Sequence, residues 1–241
     1  MILVVIISSS LSISSYSVNA QSPANTSNNA LPRDSNSTKV SGLYQDNKTG
    51  FQIQLPQGWT GAELYKFNQN GSSDPKIKVS PLGIDPLTGQ VREGDPLESV
   101  AITISTQNAS KLLPPWKALK DQIPKTVFSS QTPYFDLMKW GAEKGFGCKV
   151  LSQNYTKINE VNSLLEAMEC QGDRKNVSYS FAKDNYILGF VFDGPAPAVD
   201  RNMQKFIDSI NTLKIDKPTD IQSLIAGFDS EIKGWNIVDP L

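Results

Sequence analysis

The 241-residue chain has no histidine and only two cysteines. Without an imidazole there is no Ser-His-Asp triad, no Cys-His dyad, no HExxH zinc site and no His₂Cys copper site. Two thiols also fall short of a Cys₄ zinc or iron–sulfur centre. Excess charge of either sign is missing too: 23 Lys+Arg against 24 Asp+Glu leave a formal net charge of −1. No large field therefore draws the protein to nucleic acid or an acidic membrane surface. No run approaches the roughly 18 apolar residues of a spanning helix, so no integral membrane span is expected in the mature chain. The 39% hydrophobic and 20% charged residues make an ordinary globular composition, enough for one to two domains at about 150 residues each.

The N-terminus opens with an apolar run, residues 1–7 (MILVVII), followed by Ser-rich sequence. Val18 and Ala20 stand where signal peptidase requires small residues, so residues 1–20 read as a signal peptide cut after Ala20, although no Lys or Arg precedes the run. No cysteine follows the cut, which excludes a bacterial-type lipid anchor. Residues 21–42 are half Ser, Thr or Asn and cannot bury enough surface to offset backbone ordering, so they read as a disordered linker. Asn-x-Ser/Thr sequons begin at Asn25, Asn36, Asn47, Asn70, Asn108, Asn154 and Asn176, more than composition alone predicts. Together these features describe an extracytoplasmic glycoprotein, secreted or held at the cell surface.

In that compartment Cys148 and Cys170 are expected to be oxidised. The segments between them read as two strands, and Asn159 lies midway. A hairpin folding at Asn159 sets the cysteines opposite each other, where a cross-strand bridge is possible. Elsewhere Phe51, Ile53 and Leu55 alternate with glutamines, and Val100, Ile102 and Ile104 alternate with polar neighbours, as in half-buried strands. Shorter strand candidates run from Glu63 to Phe67 and from Ile77 to Ser80. A helix is predicted from Trp116 to Ile123, stopped by Pro124, and another from Pro133 to about Glu143. Val177, Tyr179 and Phe181 form one strand of a further hairpin, turning at Asp184–Asn185 into Tyr186 to Phe192. Val199, Met203, Phe206, Ile207 and Ile210 then make a helical stripe. Short turns between neighbouring strands imply an antiparallel sheet with helices packed on it, an α+β fold.

Tyr44-Gln45-Asp46, followed by Gly50-Phe51-Gln52-Ile53-Gln54-Leu55-Pro56-Gln57-Gly58-Trp59, resembles the opening of PsbP-like domains. Their first hairpin ends in a Pro-x-Gly-Trp turn. The order of the C-terminal half is similar: a hairpin, a strand from Tyr186 to Phe192, and a helix ending Phe206-Ile207-Asp208-Ser209-Ile210-Asn211-Thr212, with Leu213 to Ile215 as a short closing strand. The resemblance covers residues 43–215 and departs at 68–98, where the Asp85-Pro-Leu-Thr-Gly89 loop is longer than expected. It implies a PsbP-like α/β/α sandwich at residues 43–216 and, for the photosynthetic members, an extrinsic protein docked on a membrane complex. The sequons and the missing anchor cysteine fit a different setting, an archaeal cell exterior.

Candidate chemistry is sparse. Asp74, Asp85, Glu93, Asp95 and Glu98 crowd one loop-rich stretch and offer oxygen ligands for Ca²⁺, though their spacing matches no EF-hand and turns use Asp for backbone reasons. Glu166 and Glu169 lie on opposite faces of one strand and make no paired-carboxylate site. The four tryptophans read as core. Residues 217–241 form a C-terminal tail in which Thr219 and Gln222 suggest a capping box, and Ile221, Leu224, Ile225, Phe228 and Ile232 line one helical face. That stripe either packs on its own domain or docks a partner. The expected function is a non-catalytic accessory or binding module with a protein partner in the cell envelope or on a membrane complex. A secreted carboxylate- or Ser/Lys-based hydrolase and a Ca²⁺-dependent adhesion protein are the alternatives.

Overall fold

The computed structural model describes residues 39–63, 74–86 and 88–235. Eight strands form one antiparallel sheet in the spatial order β1 (Lys39–Val40), β4 (Thr60–Glu63), β5 (Asp74–Ser80), β6 (Ala101–Asn108), β10 (Tyr186–Pro195), β9 (Arg174–Lys183), β8 (Val161–Cys170) and β7 (Cys148–Ile158). A small sheet pairs β11 (Lys214–Ile215), β3 (Phe51–Gln54) and β2 (Leu43–Asp46). The architecture is α+β, as the short turns implied. Before β4 the chain reverses at Pro56-Gln57-Gly58-Trp59, where Trp59 N–H donates to the Pro56 carbonyl and Gly58 has φ of 81°. This is a type II turn, whose third position favours glycine.

Period-two alternation gives the large sheet two unlike faces. On one, Ile77 and Val79, Ile102 and Ile104, Phe190 and Phe192, and Val177 and Phe181 join a single apolar cluster. Helix α4 (Ala196–Ile210) and the small sheet cover this face, with the Phe206 ring stacked on Phe192 at 5.0 Å. The other face carries α3 (Pro133–Phe146), α5 (Ile221–Gly234) and the short helices α1 (Pro114–Lys117) and α2 (Lys125–Phe128). Gly141 lets α3 lie against Trp116; a Cβ there would sit 2.3 Å from the indole ring.

The tail stripe is buried in its own domain. Ile221, Ile225, Phe228 and Ile232 belong to the cluster with Leu137 and Trp116, and Leu224 packs at its edge. The helix start differs from expectation. Asp220, not Thr219, is the cap, accepting from the N–H groups of Gln222 and Ser223, while Thr219 bridges to Ala182 and accepts from the Asp184 N–H. The folded unit is also wider than residues 43–216, because β1 pairs with β4 inside the expected linker and α5 closes the second helical layer. The helix predicted from Trp116 to Ile123 is split into α1 and a 3₁₀ turn at Lys120–Gln122, with Leu119 outside the helical region at φ −104°, ψ 10°. The strand candidate beginning at Glu63 falls mostly outside the described residues; β4 ends at Glu63.

Candidate functional site

The second face of the sheet carries polar residues beneath its helices. Lys78, Thr103, Val191, Ser178, Glu166 and Gln153 stand in register from β5 through β6, β10, β9 and β8 to β7. Adjacent rows contribute Asp193 beside Asn176, and Ser105 and Ser180 on either side of Gly189. A cavity of about 30 Å³ lies where α3 crosses this face, lined by Gln107, Tyr134, Glu166, Asn176, Ser178 and Ser180 on its polar side. Leu112, Met138, Met168, Ile187 and Val191 complete the wall. Such a volume holds one or two waters or one small polar head.

Among the described residues, Glu166 is the one carboxylate in this lining. Gln153 Nε2 donates to its Oε1 at 2.8 Å. Burial raises the affinity of Glu166 for its proton, and the Gln153 hydrogen bond partly opposes this. Tyr134, in the first turn of α3, is buried with its N–H donated to Asp229 Oδ1 of α5 at 2.7 Å. Its phenol is held far above the ordinary range by burial and then by Glu166, Tyr155 and Asp229. Tyr155 shifts upward through burial and then through Asp229 and Asp220. The carboxylates acting on these two phenols are Glu166, Asp229 and Asp220.

The opposite end is charge-balanced. Arg174 Nη2 pairs with Asp193 Oδ2 at 2.7 Å. Burial pushes Asp193 up while Lys78 and Arg174 hold it down; burial pulls Lys78 down against the attraction of Asp193. Several polar atoms on this face have no hydrogen-bond partner: Gln107 Nε2, Asn176 Oδ1, Thr103 Oγ1 and Asp193 Oδ1. Gln107 and Asn176 are each only 7% exposed, and both line the cavity.

Cys148 and Cys170 are directly paired across β7 and β8 and joined by a disulfide. The hairpin turns at Asn159 and Glu160, both at positive φ, as a two-residue loop. That register alone would set Cys148 opposite Gln171; the bulge at Leu151 shifts it by one residue and aligns the cysteines. Asp85 accepts from the Thr88 N–H, and Asp95 accepts from the Leu97 N–H and lies 3.7 Å from Arg201. These loop acids hold turns, and no three His, Cys, Asp or Glu side chains gather among the described residues. The side chain of Asp74 lies outside the described residues.

Asn47 and Asn154 are exposed. Asn108 is half-buried and caps the turn at Ser110. Asn176 corrects the expectation for that sequon, because it points into the cavity beneath α3 and leaves no room for a glycan. Asn25, Asn36 and Asn70 lie outside the described residues. Trp59, Trp116 and Trp235 are buried and Trp140 half-buried. The cavity residues did not emerge from the sequence. Asn176, Ser178 and Ser180 alternate with apolar residues, a pattern equally typical of a strand with one wet face.

No family model matches the chain, and no characterised protein matches it by sequence. Among solved structures it is similar to the cyanobacterial PsbP protein CyanoP from Synechocystis sp. PCC 6803, at 12% identity and a TM-score of 0.42, covering 78% of this chain and 98% of that one. It is also similar to PA94 from Pseudomonas aeruginosa, a protein of unknown function, at 13% identity and a TM-score of 0.37, covering 73% and 97%. A protein from Bacteroides thetaiotaomicron VPI-5482 is similar at 12% identity and a TM-score of 0.37, covering 73% and 49%. These likenesses concern fold and carry no role.

Proposed function

We propose that the chain is an extracytoplasmic binding module, without chemistry of its own, that docks on an envelope or membrane-associated complex and receives a polar group beside Glu166. The observation that carries this reading is the pair of buried amides, Gln107 and Asn176, facing one cavity with an unpartnered atom each. A buried polar atom left unpaired costs about 1–3 kcal/mol, and a ligand that supplies the partner recovers that loss. The Cys148–Cys170 bridge supports an oxidising compartment, as do the N-terminal apolar run and the exposed sequons at Asn47 and Asn154. The carboxylate- or Ser/Lys-based hydrolase reading finds less support, since the residue paired with the buried Lys78 across the strands is Thr103 rather than a serine, and Glu166 is the one carboxylate lining the cavity among the described residues.

The test follows the full chain, tagged at its C-terminus, in its own host. Mature protein beginning at Gln21, outside the cytoplasm and cross-linked to an envelope complex, is the expected result. A cytoplasmic chain with free thiols would overturn the compartment. Turnover of an ester, peptide or glycoside substrate that Glu166→Gln abolishes would overturn the absence of chemistry.

A further inference from the structure

The cavity beneath α3 combines features that select one ligand class. Its single carboxylate, Glu166, has a hydrogen bond from Gln153 and no basic residue acting on its titration. Lys78 and Arg174, on this face of β5 and β9, act on Asp193. Asp229 and Asp220 are the acids that, besides Glu166, act on Tyr134 and Tyr155 at this end, and the exposed Lys157 lies two residues along β7 from Tyr155. A carboxylate drawn into such a site favours a cation.

The remaining walls set the kind of cation. Asn176 Oδ1 is an unpartnered acceptor in a side chain only 7% exposed, and the Ser178 and Ser180 hydroxyls stand beside it. These are acceptors for several N–H donors at once. Tyr134 and Met138 of α3, with Met168 beside Asn176 on the next strand, complete the lining with a ring and two thioethers, groups that suit an organic cation and its methylenes. A volume of about 30 Å³ admits an –NH₃⁺ head, whereas a trimethylated head needs more room.

Resting on the binding-module reading, we propose that this cavity binds a primary alkylammonium group, with Glu166 as counter-ion and Asn176, Ser178 and Ser180 as acceptors. The group is carried by a small amine or by the lysine side chain of a partner protein. Gln107, on β6, closes the far side.

The test uses the purified disulfide-intact mature chain, with melting temperature and isothermal titration as readouts. n-Butylammonium and Nα-acetyl-lysine methylamide are the cationic probes; n-butanol, tetramethylammonium, NaCl and CaCl₂ at matched ionic strength are the comparisons. A saturable rise in melting temperature with a primary ammonium probe, at least tenfold weaker binding of the comparisons, and loss of the effect in Glu166→Gln are expected. Binding of n-butylammonium alone assigns a free amine, and binding of the capped lysine assigns a partner's side chain. No saturable binding by either probe up to 50 mM (a ceiling of about 2 kcal/mol in affinity) overturns the proposal. So does equal binding by NaCl or CaCl₂, which would make the cavity a metal-ion site, or retention of the effect in Glu166→Gln. Asn176→Leu is the second variant: it removes the unpartnered acceptor, so at least tenfold weaker binding is expected, and unchanged binding in the folded variant also overturns the proposal. Failure here leaves the envelope fractionation and cross-linking result untouched, so the two readings fall separately.

Discussion

Phe228 tests whether the C-terminal helix is structural. The ring is buried in the cluster beneath the sheet and lies 5.5 Å, centroid to centroid, from Tyr134. Its neighbours on the stripe, Ile225 and Ile232, are buried as well, so nothing beside the ring is free to refill its space. Phe228→Ala then combines lost transfer energy with an unrelaxed cavity, about 3–5 kcal/mol. For a chain of this size each kcal/mol moves the melting temperature by about 2–4 °C, giving a fall of about 6–20 °C. Glu231→Ala, an exposed change on the same helix, should stay within about 0.5 kcal/mol of the parent. Scanning calorimetry and a hydrophobic dye compare the two variants. If Phe228→Ala melts with the parent while recovery of an envelope partner is lost, the stripe serves that partner and the packing argument fails.

Four further outcomes are expected. Reducing Cys148–Cys170, or changing both to Ala, should cost about 3 kcal/mol in the chain-entropy picture, and intact mass without reductant should be two protons lighter than with it; an unchanged melting temperature would refute this contribution. Burial raises the proton affinity of Glu166 in the folded state, so the native chain holds more proton than the unfolded one above the ordinary glutamate value, and stability falls as pH rises through that window. Glu166→Gln should flatten this slope and melt higher at pH 7; a lower melting point at every pH would count against it. Asp220→Ala removes the α5 cap and should cost about 1 kcal/mol; because hydrogen bonds, first from Asn162, hold this carboxyl low, its contribution is present above the unfolded value and fades as pH falls, which denaturant titrations at several pH values would show. Glycopeptide mapping should find Asn176 unmodified, and a glycan there in folded, monodisperse protein would contradict its burial.

Much of the fold was legible because residues that pack on a sheet or a helix repeat at its period. The stripe of α5, the alternations at Phe51 and Val177, and all of the α4 stripe but Ile207 end in the clusters of the core. The cysteine pairing was also legible, but for an incomplete reason. A hairpin centred on Asn159 and the observed two-residue turn differ by one position, and the bulge at Leu151 compensates. Bulges leave no mark on spacing, so a symmetry argument can find the right pair while missing the mechanism. The α5 cap shows a similar limit. Thr219 and Asp220 are both good capping residues, and only the bridge from Thr219 to Ala182 determines which side chain is free to turn back on the helix.

The candidate site was hidden by the same alternation that revealed the sheet. Period two says that one side of a strand is apolar; it does not say what lies over the other. Asn176, Ser178 and Ser180 look like solvent-facing residues until α3 and α5 are placed above them, and those helices supply that cover with their own apolar stripes. Three adjacent strands then place amides, hydroxyls and one carboxylate under a layer that could have been met by Val or Leu. Replacing that lining with apolar residues would spare the buried face its unpaired groups and its uncompensated acid, each a cost to folding. A sheet with one largely apolar face and one mixed face that buries amides, hydroxyls and a carboxylate, both covered by helices, keeps the second at the expense of stability. That asymmetry, rather than any single residue, is why the space beside Glu166 is best read as a place for something else to bind.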